Sequence, residues 1–523
     1  MDVVNRPISR RGFIGGAGAG AGALVLGAVG ITPQRAYAPR FSDYPFKLGV
    51  ASGDPSPDGF VIWTRLAPDP LQGGGVPPRP IAVSFEVAHD EAFRRIAAAG
   101  TVMAGPQLGH SVHAEIEGMR PGREYFYRFS VGRDTSRTGR TKTAPAPGSS
   151  PGALRFAVAS CQSWQEGHYT AYRHIADEEL DFVLHLGDYV YEGAQSADAI
   201  RPHEAGEPTD LLGYRNRHAL YRTDADLQAA HAAFPFVVTW DDHEVENNYA
   251  AGLAQRQRDR DTDPAAFRVR RSAAYQAYSE HLPLRRSTRA RRNGPSLHRR
   301  LAFGDLAELN VLDTRRRRAR QACGGWRRTG CAARLDPGRT MLGAEQERWL
   351  LEGLHRSRAR WNVLAQQVFF AQLDLDPGPR QSFSMEAWDG YAAARDRLLS
   401  GIATRGVANP VVLTGDVHRN WACEVKSSFA DPESATIATE FVGTSISSGR
   451  DGTDLPANSA GLLAANPHLR FTNGQRGYLR CDLDRDSWRT DFRVLAYVTR
   501  PGAPISTRAS FVVEDGRPGP QPG

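Results

Sequence analysis

Between residues 44 and 143 apolar and polar positions alternate in short runs: FVIWTRL (60–66), IAVSFEVA (81–88), HSVHAEIEG (110–118) and REYFYRFSV (123–131). Gly/Pro turns such as Arg120-Pro121-Gly122-Arg123 separate them. Period-two alternation with closely spaced turns predicts strands, and these strands together predict a small N-terminal β-sandwich. The Pro/Gly/Ser-rich stretch APAPGSSPG (144–152) then reads as a linker and sets a domain boundary.

Beyond it the rhythm becomes apolar strand, polar loop, amphipathic helix. Strand LRFAVAS (154–160) leads to helix YTAYRHIADEE (169–179) and strand DFVLHLG (181–187). Helix 219–234 leads to strand FVVTW (236–240), and helix 265–282 to strands within 297–313. Helix 343–357, strand 360–370, helix 391–406 and strand PVVLTG (410–415) follow, and then a β-rich end from 437 through 498. This alternation predicts an α/β catalytic domain over 153–515, and the β-rich end makes its sheet mixed. Residues 516–523 read as a short Pro/Gly tail.

The first 38 residues are an address. Ser9-Arg10-Arg11-Gly12-Phe13-Ile14 is a twin-arginine signature, followed by a Gly/Ala/Val/Leu run to about Ile31 and an Ala36-Tyr37-Ala38 cleavage-like triplet. Gly15 to Gly22 mimics a phosphate-binding loop, but no strand precedes it and no Lys-Ser/Thr pair follows. A Tat signal implies export to the periplasm or beyond as a folded protein, often with a metal already inserted. No later run reaches the roughly 18 apolar residues of a membrane span. The formal charge of +7 comes from 65 Lys plus Arg against 58 Asp plus Glu, and only Lys47, Lys142 and Lys426 are lysines. Arginines scattered among nearly as many acids do not make the clustered basic surface of a nucleic-acid binder.

Four apolar strands end in metal-type side chains. Cys161 follows FAVAS, Asp188 follows FVLHLG, Asp241, Asp242 and His243 follow VVTW, and Asp416 and His418 follow VVLTG. In open α/β sheets ligands bind beyond the carboxyl ends of the strands, where such loops converge. One strand-end aspartate is an ordinary turn or cap residue, and Cys161 alone is more simply a small buried hydrophobe; four such ends together point to a metal site. His185 reads as a core histidine, and His110, His113, His174 and His231, lacking clustered ligand company, as structural.

The segments FAVASCQSW (156–164), LDFVLHLGDYVYE (180–192), 214–249, WNVLAQQVFF (361–370), VVLTGDVHRNW (411–421), EFVGTSISSG (440–449) and ISTRASF (505–511), with the front GVASGDP, resemble the PhoD-like alkaline phosphatases, calcineurin-like metallophosphoesterases. The resemblance covers nearly all of the chain after residue 38. It implies a four-layer αββα phosphoesterase core, Tat export, and hydrolysis of phosphate mono- and diesters at a site holding Fe3+ and Ca2+. Carried to this sequence, it implies that Asp188 bridges the metals and that Cys161 and Tyr191 bind iron, Tyr191 at the spacing purple acid phosphatases use for their tyrosinate. It implies that Asp416 and His418 are the final ligand motif, that Asn248 gives calcium an amide oxygen, and that Asp241 or Asp242 completes that side.

A metal-held hydroxide attacking phosphorus directly is the expected chemistry, without a phosphoenzyme. His243 either protonates the leaving oxygen or contacts phosphate, or else supports the ligands. Arg222 either holds phosphate or lies on a helix surface. The run 314–331, TRRRRARQACGGWRRTGC, either attracts anionic substrates or is a solvated loop, and Cys323 and Cys331 are plausible disulfide partners in an exported protein. Cys161 is expected to be a metal thiolate, while Cys423 and Cys481 either pair or are each buried. With no C-terminal extension after the RASFVVEDG segment, an open cleft admitting bulky diesters is expected. The rivals are another exported metallophosphoesterase, nucleotidase or phospholipase D-like, and an iron redox protein, for which no CxxC, CxxCH or dinucleotide fingerprint appears in a fitting context.

Overall fold

The computed structural model describes residues 40–255, 263–289 and 295–523; the twin-arginine segment lies outside them. Among the described residues the strands Leu154–Ala159, Phe182–His185 and Pro235–Val238 run parallel at the centre of a ten-stranded sheet. Gly477–Leu483, Ser487–Leu495, Ile505–Glu514 and Arg517–Pro522 extend one side, and Val50–Ser56, Gly59–Arg65 and Ser111–Ile116 the other. A seven-stranded sheet has Ala307–Val311, Trp361–Ala365, Pro410–Thr414 and Thr436–Val442 in parallel, flanked by antiparallel Arg299–Phe303, Asn420–Lys426 and Leu469–Asn473. The class is α/β with mixed sheets.

Alternation decides how each central strand is covered. Along Leu154–Ala159, Phe156 and Val158 face a core shared with Val363, Val411 and Leu413 of the second sheet. Ala157 and Ala159 face the opposite core, with Tyr172, Tyr221, Leu227 and Tyr278 of the helices Thr170–Ala176, Leu211–Arg222, Ala225–Ala233 and Pro264–His281. The second sheet's outer face carries Leu364 and Val412 against Leu350, Leu398 and Ile402 of the helices Ala344–Arg356 and Ala392–Arg405. Between the sheets Phe156 stacks on Phe182 at 4.7 Å, and Phe182 on Phe303 at 4.9 Å. Asp210, Asp224 and Asp263 cap three of the helices through their carboxylates.

Two expectations are altered by the pairing. The strands of residues 44–143 lie in two sheets packed face to face, but one of these is not separate from the rest: Val50–Ser56 pairs in parallel with Pro235–Val238 and so continues the large sheet. Nearly every residue of Val50–Ser56 is buried, a strand that needs cover on both faces and belongs in a sheet interior. Ile96–Ala104, Ile81–Ala88, Glu124–Val131 and their short partners form a separate five-stranded sheet, whose Val83, Val87, Tyr127 and Phe129 pack against Val50, Phe60 and Ile62. Nor is 516–523 a loose tail, because Arg517–Pro522 is the edge strand of the large sheet, paired with Ile505–Glu514. An edge strand tolerates prolines because half its N–H groups have no ladder partner to lose. Among the described residues no helix is long and apolar enough to cross a membrane.

Candidate metal centre

The strand ends converge. Ligand-type atoms of Cys161, Asp188 and His418 lie within 4.8 Å of one another, as do those of Asp188, Asp242 and His243, and those of Asp241, Asp242 and Asp416. Asp188 is common to the first two sets and Asp242 to the last two. Tyr191 joins through its phenol oxygen, 3.0 Å from Asp188 Oδ2 and 3.1 Å from His418 Nε2. Asn248 donates its backbone N–H to Asp242 Oδ2.

These loops are held in a backbone form that side chains avoid. Cys161, Asp188, Asn248, Asp416 and His418 all have φ between 50° and 64°. A left-handed residue with a Cβ is uncommon and costs energy, so its recurrence at the ends of three strands marks a site where the surrounding fold dictates side-chain direction. Gly187 (φ 108°) lets two loops meet, since a Cβ there would stand 2.5 Å from the backbone N of Asp241. Glu244 ties the same loops together by accepting from the N–H groups of Asp188 (3.0 Å), Tyr189 (2.6 Å) and Asp241 (2.7 Å).

The electrostatics ask for cations. Asp188, Asp241, Asp242 and Asp416 are four carboxylates gathered around Arg315 and His243, with Arg318 acting on Asp242 and Asp416 as well, and Asp241 Oδ2 is buried with no hydrogen-bond partner among the described residues. Burial pushes the Asp188, Asp241 and Asp416 carboxyls up, and it pushes Cys161 and Tyr191 well above their ordinary ranges, with Asp188 adding to both. A bound cation reverses that balance and holds thiolate and phenolate. Burial and Arg476 lower His418 to about 3, so it is the neutral imidazole that ligates metals. With its nitrogen inward, the Asn248 amide donates to Asp242 Oδ2 (3.1 Å) and Glu386 Oε2 (3.2 Å). With its oxygen inward it sets a third oxygen against two carboxylates, an arrangement that a hard cation stabilises.

His243 stands at the mouth. Its side chain is 21% exposed, its ring lies 4.2 Å from that of Tyr191 between centroids, and its Nδ1 meets Glu192 Oε2 at 2.7 Å. Burial works against its charge, but Glu192, Asp188 and Asp242 outweigh that and hold the imidazolium well above the usual range. Arg222 is elsewhere. It is fully buried, its Nη2 donates to Leu48 O (3.1 Å) and Val50 O (3.4 Å), and its guanidinium lies 4.6 Å from the Trp63 ring centroid. It therefore neither holds phosphate nor lies on a helix surface; it ties the helix Leu211–Arg222 to the front of the chain. His185 is fully buried, and His113 and His174 bond to backbone carbonyls.

Residues 156–492 match the family described as PhoD-like phosphatase, and residues 32–145 match the PhoD-like phosphatase N-terminal domain. The chain belongs to the PhoD-like phosphatase family. It is 50% identical to alkaline phosphatase D of Bacillus subtilis (strain 168) over 527 residues, covering 98% of this chain and 89% of that protein. It superposes on the solved structure of PhoD with a TM-score of 0.90 at 50% identity, covering 93% of each chain.

Within this PhoD-like frame, Arg315 is the site residue that the sequence pattern signals least. It is fully buried, its Nε donates to Asp241 Oδ1, and its Nη2 donates to Asp416 Oδ1 at 2.9 Å. It lies just beyond the strand Ala307–Val311, a fifth strand end, but there it is one arginine in a run of four. Glu192, Glu244 and Ser448, whose Oγ is 2.7 Å from Tyr191 Oη, are further members sitting inside or beside the recognised motifs. Cys323 and Cys331 form a disulfide, whereas Cys161, Cys423 and Cys481 are free and buried.

Proposed function

We propose that this chain is an exported, metal-dependent alkaline phosphatase and phosphodiesterase whose substrates are phosphate mono- and diesters. The observation that carries the reading is the chain of shared carboxylates: Asp188 joins a set with a thiol, a phenol and an imidazole to Asp242 and His243, and Asp242 in turn belongs to a set of three carboxylates. Cys161, Tyr191, His418 and Asp188 suit Fe3+, while Asp242, Asp416, Asp241 and the Asn248 amide suit Ca2+. When bound, such ions supply Lewis acidity toward the phosphate and an acidified water. His243, kept charged by Glu192 at the exposed mouth, is placed to give its proton to the leaving oxygen. Arg315 holds Asp241 and Asp416 apart from each other's charge and so fixes both carboxylates. The buried remainder of the set keeps bulk water from the reacting groups.

The packing supports reading the two large sheets and their outer helices as the four layers of an αββα core. The gap between the two family matches, 145 to 156, supports placing the boundary near 144–152. The twin-arginine signature supports Tat export, with the periplasm or the exterior as destination.

The test is purification from a Tat-competent host, metal analysis, and assay against a phosphomonoester and a phosphodiester. Iron and calcium with turnover of both, and inversion of configuration at phosphorus, are expected. Protein free of both metals and inactive after their addition would refute the reading, and retention at phosphorus would refute direct attack.

A further inference from the structure

A cavity of about 250 Å³ opens beside the carboxylate end of the centre, lined by Trp326, Arg320, Gln255, Gln321, Glu386 and the Cys323 backbone turn. We propose that it is the subsite for the leaving group of the ester and that it selects a flat heteroaromatic one of the nucleobase class. The proposal rests on the phosphoesterase reading and deepens it.

Its position follows from a shared wall. Gln321 Nε2 donates to Asn248 O at 2.7 Å and to Glu386 Oε2 at 3.0 Å, and Arg318 Nη2 donates to the same two groups at 3.2 and 2.7 Å. Glu386 in turn lies 3.8 Å from Arg315, which pairs with Asp241 and Asp416. The cavity and the carboxylate end of the centre are therefore neighbours across one layer of side chains, with Glu386 common to both.

The shelf that carries Trp326 is built. The indole is 48% exposed although Trp is the largest side chain a fold can bury, and its φ is 60°. Exposure through looseness does not account for this. The Cys323–Cys331 disulfide closes the loop, Met385 N donates to Trp326 O at 2.9 Å, and Arg327–Thr329 pairs antiparallel with Ser382–Ser384. Beneath it Ala322, Cys331, Phe383 and Met385 make a small core. A rigid, exposed aromatic face is a stacking platform. Around it stand polar groups of both kinds: the Arg320 charge, the Gln321 amide oxygen, the amide of Gln255, whose Oε1 accepts from Asn247 Nδ2 at 2.9 Å, and the Glu386 carboxylate. Such groups read the edge of a heterocycle. Ligand pockets for larger molecules run roughly 300–1,000 Å³, so this one takes a single ring system, and its polar lining is unsuited to a lipid tail.

The test compares kcat/KM of the full-length, metal-loaded protein for adenosine 5′-monophosphate, ribose 5-phosphate and glycerol 3-phosphate. All three are esters of primary alcohols with similar leaving oxygens. Wild type is expected to favour the nucleotide over the other two, and Trp326→Ala to lower that preference about ten-fold, the order of magnitude of one base–aromatic stack. Trp326→Phe is expected to keep most of it. Adenosine alone is expected to quench the wild-type tryptophan fluorescence, and the quench is expected to vanish in Trp326→Phe. No nucleotide preference, an equal loss on all three substrates, or a quench that persists in Trp326→Phe would overturn the proposal. If no ester is turned over, the phosphoesterase reading fails, and the adenosine titration still decides whether the cavity binds a base.

Discussion

Nδ1 of His243 stands 2.7 Å from Glu192 Oε2, and the other carboxylate oxygen of Glu192 accepts the N–H of Asn247 at 2.8 Å. The glutamate thus turns the imidazole and fixes which nitrogen faces the mouth. Burial opposes the charge on His243, and among the groups that favour it the Glu192 carboxylate acts most strongly. His243→Asn is expected to lower kcat by roughly 10²–10⁴-fold. Glu192→Gln removes the charge but keeps the shape, so His243 loses its proton at lower pH. The alkaline limb of the kcat profile should move toward lower pH; an unmoved limb with lowered kcat would leave Glu192 a purely steric role.

On the metal reading proposed above, thiolate and phenolate are the donors that favour iron over calcium, and Cys161 and Tyr191 would bring them. Tyr191→Phe keeps the ring that packs against His243 and removes the oxygen shared with Asp188 and His418. The purified protein is expected to show a visible phenolate-to-iron absorption band that Tyr191→Phe lacks. Its activity loss should exceed the roughly 10–100-fold that changes beyond the ligands typically cost. Calcium chelation of the wild type should abolish turnover and leave the band.

For Arg222 the expectation is stability without chemistry. Truncation strands the Leu48 and Val50 carbonyls and removes a cation from the face of Trp63. Arg222→Ala is expected to cost about 2–4 kcal/mol in denaturant unfolding. Enzyme that folds should keep the wild-type KM, and a raised KM with unchanged stability would restore the phosphate-holding role.

The strand ends are legible in the sequence because apolar runs followed at once by Cys, Asp and His are local patterns, and Cys161, Asp188, Asp242 and Asp416 do meet. What stays hidden depends on distant chain segments. Arg222 sits on a helix whose pattern is plain, but nothing local says that Leu48 and Val50 lie against it. Arg315 pairs with aspartates 74 and 101 residues away and is masked by neighbouring arginines. The Pro/Gly composition of 516–523 signals a tail, and only the bare edge of Ile505–Glu514 makes it a strand.

Gly187 tests whether loop geometry or ligand identity makes the centre. Gly187→Ala alters no ligand, yet its Cβ would fall 2.5 Å from Asp241 N and 2.6 Å from Asp241 Cβ, at a φ of 108°. Neither loop has room to yield without moving Asp188 or Asp241. A loss of about 3 kcal/mol or more is expected, with iron content falling in parallel. A variant with wild-type melting and full metal would show that the loops are not in the contact described.

Glu440 lies fully buried behind the strand Pro410–Thr414, accepting from Phe370 N (2.9 Å), Ala371 N (2.7 Å) and Thr414 Oγ1 (2.7 Å). Burial pushes its carboxyl up to about 7 from an unfolded value of 4.5. Below pH 4.5 both states carry the proton, and the group has no pH-dependent effect. Between 4.5 and 7 the unfolded chain ionises while the folded chain holds its proton, so stability falls as pH rises. Above 7 both are ionised and the loss is complete, roughly 3 kcal/mol. Other groups titrate alike in wild type and Glu440→Gln, so the difference between their unfolding free energies isolates the effect. That difference should change by about this amount across the window, to the disadvantage of the wild type as pH rises. A difference that stays flat from pH 4.5 to 7 would mean that the three donors stabilise the carboxylate enough to cancel its burial.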